Sequence, residues 1–398
     1  MVQDRSATDL QRFRAGFPGA RNVRYLNVAD RGLISTEVKA ALVSYIDACV
    51  EGVSKDLASA WTDRARQRFA QLVRADESEI ALVKNVSDGI NAVATAIDWK
   101  PGDNVVLCEE LEHPSNLFAW YNLRERCGIA IRRVEAAEWA IDPQRMIAAI
   151  DARTRIVSVS MVTFAPGFRT DVAAIGDACR ERDALFLADA AQAVGVLDVD
   201  LSSLPIDALA VGTPKALLGL YGLGFLFVRQ SVAERLRPAY LSGAGVNRNA
   251  IIAPVEPVAL KSGAGRFEVG NLNHLGCVAA AVSIGQLQTV GMAQIEKHAC
   301  DLAHMLSDGL KGLGLPVLEP RKDSGRTNIV AVGSGLEADL DGTSDRRLID
   351  LYDFLKRQKT DLSIRRGILR FSTHGYTDRD DIAQTLALAS EWQKSARA

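Results

Sequence analysis

Four kinds of residue, each just beyond a short apolar run, could do chemistry together. Lys215 lies in Val211-Gly212-Thr213-Pro214-Lys215-Ala216-Leu217-Leu218-Gly219 and is the only charge between Asp207 and Arg229. An ammonium in so apolar a setting is either held below its usual pKa or used covalently, as Schiff-base chemistry requires; a lysine that snorkels to solvent is the plain alternative. Asp189 ends the run Ala184-Leu185-Phe186-Leu187-Ala188. A carboxylate there is costly to bury unless it meets a cation, which could be a metal, an Arg or a protonated ring nitrogen; it could equally cap a helix. His113 follows Asn104–Cys108, inside Glu109-Glu110-Leu111-Glu112-His113-Pro114-Ser115-Asn116. A flat imidazole there could stack on an aromatic ligand, or be a hydrogen-bonded loop residue. After Ile80-Ala81-Leu82-Val83 comes Lys84-Asn85-Val86-Ser87-Asp88-Gly89, a polar turn opening a helix. Its amides could hold a phosphate, or simply form a cap.

Together these groups suit pyridoxal phosphate: a phosphate anchor, a ring stack, a partner for the pyridine nitrogen and a Schiff-base lysine. A nicotinamide dinucleotide, the competing ligand, would need a GxGxxG after an early strand, which is missing.

The elements that must position these residues alternate. Short apolar runs at 80–83, 104–108, 155–161, 184–189, 208–211 and 223–228 read as buried strands. Helical stretches between them, such as Pro143–Ile150 and Val172–Arg182, imply an α/β fold with a mostly parallel sheet covered on both faces. In such sheets ligands bind at the carboxyl ends of the strands. The last third loses this rhythm. Ala279–His298 and Leu302–Leu313 read as helices, Thr327–Val332 and Ile368–Ser372 as strands, and Arg346–Lys359 as a helix. Thr377 and Asp380 have capping-box spacing ahead of a final helix. A smaller α+β C-terminal domain is expected, with a boundary between Gly243 and Gly265.

Composition bounds the rest. The chain has 398 residues, 48% hydrophobic and 24% charged, enough for a sizeable core. A net charge of −2 gives no global electrostatic case for nucleic acid or an anionic membrane. The six cysteines form no CxxC and no metal-ligand pattern with His, so neither a metal site nor a disulfide framework is expected. No stretch has the apolar length of a membrane span. The N-terminus has no apolar signal region, and a cytoplasmic protein is expected.

The chain resembles the class V aminotransferase family of fold-type I pyridoxal phosphate enzymes, which includes cysteine desulfurases. The likeness runs from about Tyr25 to Tyr376. It is carried by Asn85–Asn91, Glu112–Asn116, Asp189–Gly195, Lys215–Gly224, Arg266–Gly270 and Leu369–Tyr376. The resemblance implies a seven-stranded, mostly parallel sheet sandwiched by helices. It implies an N-terminal segment (1–20) packed with the small domain, a large cofactor domain (21–255), and a small domain (256–398) with a linker helix at 279–298. It implies that Lys215 forms the Schiff base and moves protons, that Asp189 pairs with the pyridine nitrogen, and that His113 stacks on the ring. Gln192 would bond near the ring hydroxyl, and Ser87, Asp88 and Gly89 would hold phosphate. Asn271 would reach the neighbouring subunit's phosphate site, making a homodimer with shared active sites. Arg370 would grip the carboxylate of a small amino-acid substrate.

Three departures qualify this. The usual Ser and His before the lysine are replaced in Gly212-Thr213-Pro214-Lys215, leaving Thr213 as a partial substitute. Phe164 stands where a polar Asn near the ring is usual. No Cys follows Cys300, and Ile364–Arg370 leaves no room for a cysteine-bearing loop, so persulfide-forming desulfurase activity is not expected. Transamination is the leading expectation, ahead of C–S or other β-lyase chemistry and epimerisation. A non-catalytic cofactor-binding scaffold is the alternative of another class.

Overall fold

Along the central strands, alternate residues bury on opposite faces, so one sheet separates two apolar cores. In the computed structural model, which describes residues 2–52, 54–247 and 258–395, Leu82, Val106, Val157, Phe186, Leu209 and Phe225 face one core. Their neighbours Ala81, Val105, Ile156, Leu187, Ala208 and Leu226 face the other. The strands are β1 (Ile80–Val83), β2 (Asn104–Leu107), β3 (Ala130–Arg133), β4 (Thr154–Ser160), β5 (Leu185–Asp189), β6 (Ala208–Gly212) and β7 (Gly224–Val228). They lie in the order β1-β7-β6-β5-β4-β2-β3. Only β7 runs against the rest, pairing antiparallel with β1 and β6. The carboxyl ends of β1, β2, β4, β5 and β6 therefore share one edge. β3 has no apolar run: all its residues are at least partly exposed at the sheet's margin, so it left no signal in the sequence.

A second, antiparallel sheet comprises β8 (Val317–Leu318), β9 (Ile329–Val332), β10 (Ser363–Arg365) and β11 (Ile368–Ser372), in the order β10-β11-β9-β8. Its own core includes Leu306, Val332, Leu351, Phe371 and Trp392. The boundary expected at 255/256 lies outside the described residues. Three helices serve the site: α1 (Val2–Ala15), α2 (Val86–Ala94) and α3 (Pro114–Cys127). The linker region differs from expectation. It is two helices, α4 (His274–Val290) and α5 (Met292–Gly312), bent by 80°. The break falls at Gly291, whose φ of 93° ends the first helix, and not beyond His298. The final helix, α6 (Arg379–Ser395), begins later than the Thr377 cap implied. Asp378 is the cap: it accepts from the Asp381 amide at 2.9 Å, and the Asp381 carboxylate accepts in return at 3.0 Å. Among the described residues, no single helix is long and apolar enough to cross a membrane.

Two glycines test how tightly the edge is built. Gly195 and Gly52 both have φ near 100°. A Cβ on Gly195 would lie 2.4 Å from the Ala216 carbonyl carbon, whereas one on Gly52 would meet nothing within 4 Å. Gly52→Ala should cost about 1 kcal/mol of backbone strain, and Gly195→Ala about 3 kcal/mol or more, since only backbone could yield. Urea denaturation of the two variants measures the difference.

Candidate active site

At the shared edge lies a cavity of about 480 Å³, bordered by Ser87, His113, Phe164, Asp189, Gln192, Lys215 and Arg370. The topology brings them together. β5 ends at Asp189, β6 leads into the turn bearing Lys215, α2 and α3 begin at the cavity, and β11 crosses from the second sheet with Arg370.

Two of these residues, Asp189 and Arg370, are charged groups removed from water, and a third, Lys215, is half-buried. Asp189 is 6% exposed, accepts one hydrogen bond from the Ala191 amide at 2.8 Å, and forms no ion pair among the described residues. Burial raises its pKa, against a partial offset from that bond and from Lys215. Burial lowers Lys215 to about 8, with Arg370's charge acting the same way. Arg370 is 2% exposed and likewise lacks a carboxylate within ion-pair distance among the described residues. Its Nε donates to Ser363 Oγ at 3.3 Å and one terminal nitrogen to the Phe164 carbonyl at 2.8 Å. Burial pulls its pKa down, and Arg365 adds to this. Such charges are costly unless something completes them. The cavity thus offers a lone carboxylate at one place and a lone guanidinium at another.

His113 caps α3, its Nδ1 accepting from the Ser115 amide at 3.2 Å. Burial, Lys215 and Arg370 all oppose its charging and lower it to about 4. Phe164 meets the imidazole edge-on, centroids 5.1 Å apart. Gln192 is oriented by donation to the Ala29 carbonyl at 2.9 Å.

At the start of α2, Asn85 caps the helix and accepts from the Asp88 amide at 2.9 Å. The amides of Val86 and Ser87 have no intrahelical acceptor, and both residues border the cavity. Two neighbours expected to bind do not border it. The Asp88 carboxylate turns back to the Lys84 amide at 2.9 Å. Gly89 packs the helix on the sheet, where an added Cβ would stand 3.0 Å from that of Ala210. Thr213 is also displaced from its expected role. It is fully buried, and its hydroxyl donates to the carbonyls of Leu220 (2.5 Å) and Leu223 (3.1 Å), tying the Lys215 turn together from behind. Asn271 is exposed and does not border this chain's cavity.

Two features were missed in the sequence. Glu112 is buried behind the site, accepting from the Asn116 amide at 2.6 Å and from the Ser160 amide (2.7 Å) and hydroxyl (2.6 Å). Burial raises it to about 7 despite these bonds. Ser160 is the strand partner of Asp189, so this carboxyl braces the neighbouring strand. Arg365 closes the cavity's outer side, paired with Asp30 at 2.5 Å and Asp341 at 2.9 Å. Glu112 adjoins His113 in a stretch already singled out; nothing local marked Asp30 and Asp341, which are far apart in sequence.

The model of the family described as aminotransferase class V matches residues 48–343. A probable cysteine desulfurase of Methanothermobacter thermautotrophicus is 34% identical over 259 residues, spanning 63% of this chain and 63% of that relative. An uncharacterized aminotransferase of Bacillus subtilis, YcbU, is 23% identical over 94% of this chain and 96% of its own. Among solved structures, the apo cysteine desulfurase of Thermococcus onnurineus NA1 superposes with a TM-score of 0.84 at 23% identity, covering 97% of this chain and 98% of that one. The cystine C-S lyase C-DES, in complex with its product cysteine persulfide, gives 0.83 at 24% identity, covering 94% and 99%. These likenesses establish the shared fold.

The electrostatics of His113 can be measured directly. Burial and the neighbouring cations Lys215, Arg370 and Arg365 all disfavour its imidazolium, so its titration moves down. In histidine-labelled protein, with His113→Asn for assignment, its ring resonances should stay those of a neutral imidazole down to about pH 5. A midpoint near the free value would contradict this environment.

Proposed function

The chain belongs to the class V aminotransferase family, whose members depend on pyridoxal phosphate, and we propose that it transaminates a small α-amino acid, with Lys215 as the cofactor lysine. The carrying observation is that two buried charges, Asp189 and Arg370, and the half-buried Lys215 surround one cavity, without ion-pair partners among the described residues. The bound cofactor supplies an aldehyde that couples to amines and a protonated ring that withdraws electrons from the amino acid's α-carbon. The residues present fit it. Asp189 offers a buried carboxylate to a ring N–H⁺, and each would offset the other's desolvation. His113, kept neutral, presents a flat ring, and Gln192 a fixed amide. Ser87 and the amides at the start of α2 suit the phosphate.

Lys215, held near 8, has a usable fraction of neutral amine at physiological pH. Its Nζ can therefore act as nucleophile and then carry the α-proton. Arg370, fixed through two of its nitrogens, leaves its remaining N–H groups for the substrate carboxylate. Phe164 makes the adjoining wall apolar. The exposed Asn271 is the group with which a second copy would complete the phosphate end, so the active form on this reading is a homodimer.

Against persulfide-forming desulfurase chemistry stands the β10–β11 connection. Arg365 pairs with Ile368, so only Arg366 and Gly367, at φ of 50° and 86°, form the turn. Among the described residues no cysteine borders the cavity. A β-lyase reaction, as in the C-S lyase C-DES, shares the same proton transfer at Lys215 and is the second reading.

Adding amino acids one at a time to the cofactor-loaded protein separates these by visible absorbance. Transamination gives a stable pyridoxamine spectrum that a keto acid reverses. Release of keto acid and ammonia gives the lyase instead, and no response to any amino acid overturns catalysis. In the same assay Arg370→Lys, which loses the planar fork, should raise the half-saturating amino-acid concentration about tenfold or more, with the resting spectrum unchanged.

A further inference from the structure

The turn bearing Lys215 is held from outside by a residue of the second sheet's segment. His374 is fully buried, and its Nε2 lies 3.0 Å from the Gly195 carbonyl and 3.1 Å from that of Ala216. Both neighbours are acceptors only, so Nε2 carries the proton and shares it between them. Among the described residues Nδ1 has no partner, which requires a neutral ring. The ring is stacked by Tyr376 at 5.1 Å and by Phe13 of α1 at 6.2 Å. Its backbone is fixed as well, the amide donating to Thr377 Oγ1 at 3.0 Å.

We infer that His374 is a positioning residue for Lys215: one shared N–H ties the carbonyl of Ala216, the residue after the lysine, to the turn that follows Asp189, and both to the strand that carries Arg370. The two carbonyls are brought together by Gly195, whose missing Cβ lets the turns touch backbone to backbone. His374 closes that contact from above. It follows Arg370 by four residues on the segment leaving β11. The carboxylate-binding strand and the lysine turn are thus fastened at one point, so Arg370 and Lys215 keep their separation across the cavity. A phenyl ring would preserve the stack but remove the donor and leave two buried carbonyls unsatisfied at the lysine.

This rests on Lys215 as the cofactor lysine, and the test keeps the two claims apart. Protein loaded with pyridoxal phosphate is compared as wild type, His374→Phe, His374→Gln and Lys215→Ala. The readouts are thermal unfolding, the visible circular dichroism of the cofactor band and the rate of cofactor release into buffer. His374→Phe should release cofactor about tenfold faster, the worth of one buried hydrogen bond, with a weakened visible signal. His374→Gln, whose amide can donate, should recover most of both. If His374→Phe does not fold, His374→Asn, too short to reach both carbonyls, replaces it. A variant that unfolds earlier yet keeps the wild-type release rate and visible signal would reduce His374 to a structural pin and overturn the inference. If Lys215→Ala retains the wild-type band, it is the lysine assignment that fails.

Discussion

Burying charge without a partner is the constraint from which the rest of this molecule follows. Asp189 and Arg370 leave water around a single cavity with Lys215 half-buried beside them, and burial shifts the pKa of each while no opposite charge lies within ion-pair distance among the described residues. Desolvation of this kind opposes folding. It is tolerated because two extensive apolar cores on the faces of the large sheet, and a third beneath the second sheet, hold the surrounding strands in place. A ligand with a cationic ring, an aldehyde and a carboxylate-bearing partner would complete all three groups at once.

Rigidity at the lysine follows from the same need. Nearly every carbonyl around it is occupied. Pro214's accepts from the Gly32 amide at 2.8 Å, Lys215's from Leu218 at 3.0 Å and Thr213's from Gly219 at 2.8 Å. Leu217's accepts from Ser283 Oγ at 2.7 Å. Leu218 accepts a positive φ of 57° to close the turn. The Ser and His that the family resemblance led one to expect before the lysine are absent. Here Thr213 turns inward and the turn is held by its own hydrogen bonds. Closure comes from Arg365 with Asp30 and Asp341, which join the chain's early and late segments at the cavity rim.

Much of this was legible because the sheet writes itself into the sequence as short apolar runs, and most of the candidate site residues lie just after them. Ser87, His113, Asp189, Gln192, Lys215 and Arg370 meet at one cavity as those positions implied. What was not legible depends on side-chain direction or on distant partners. Thr213, Asp88 and Gly89 lie beside the right residues in sequence, but their groups turn to local backbone or to the sheet. β3 is an exposed margin without periodicity. The break at Gly291 interrupts an otherwise continuous helical pattern, a glycine at φ of 93° ending α4 before α5 packs on the second sheet. Asp378 outcompetes Thr377 as cap because its carboxylate reaches the Asp381 amide, while Thr377 Oγ1 already serves His374.

The central claim, that the lone carboxylate and the depressed lysine form one site for an aldehyde-bearing pyridinium, is most directly tested by trapping. Protein incubated with pyridoxal phosphate is reduced with borohydride, digested and analysed by mass spectrometry. The reduced cofactor's mass should appear on the peptide containing Lys215, one per chain, and be lost in Asp189→Ala at cofactor concentrations that saturate the wild type. Labelling of another lysine, or labelling of Lys215 indifferent to Asp189, would contradict it.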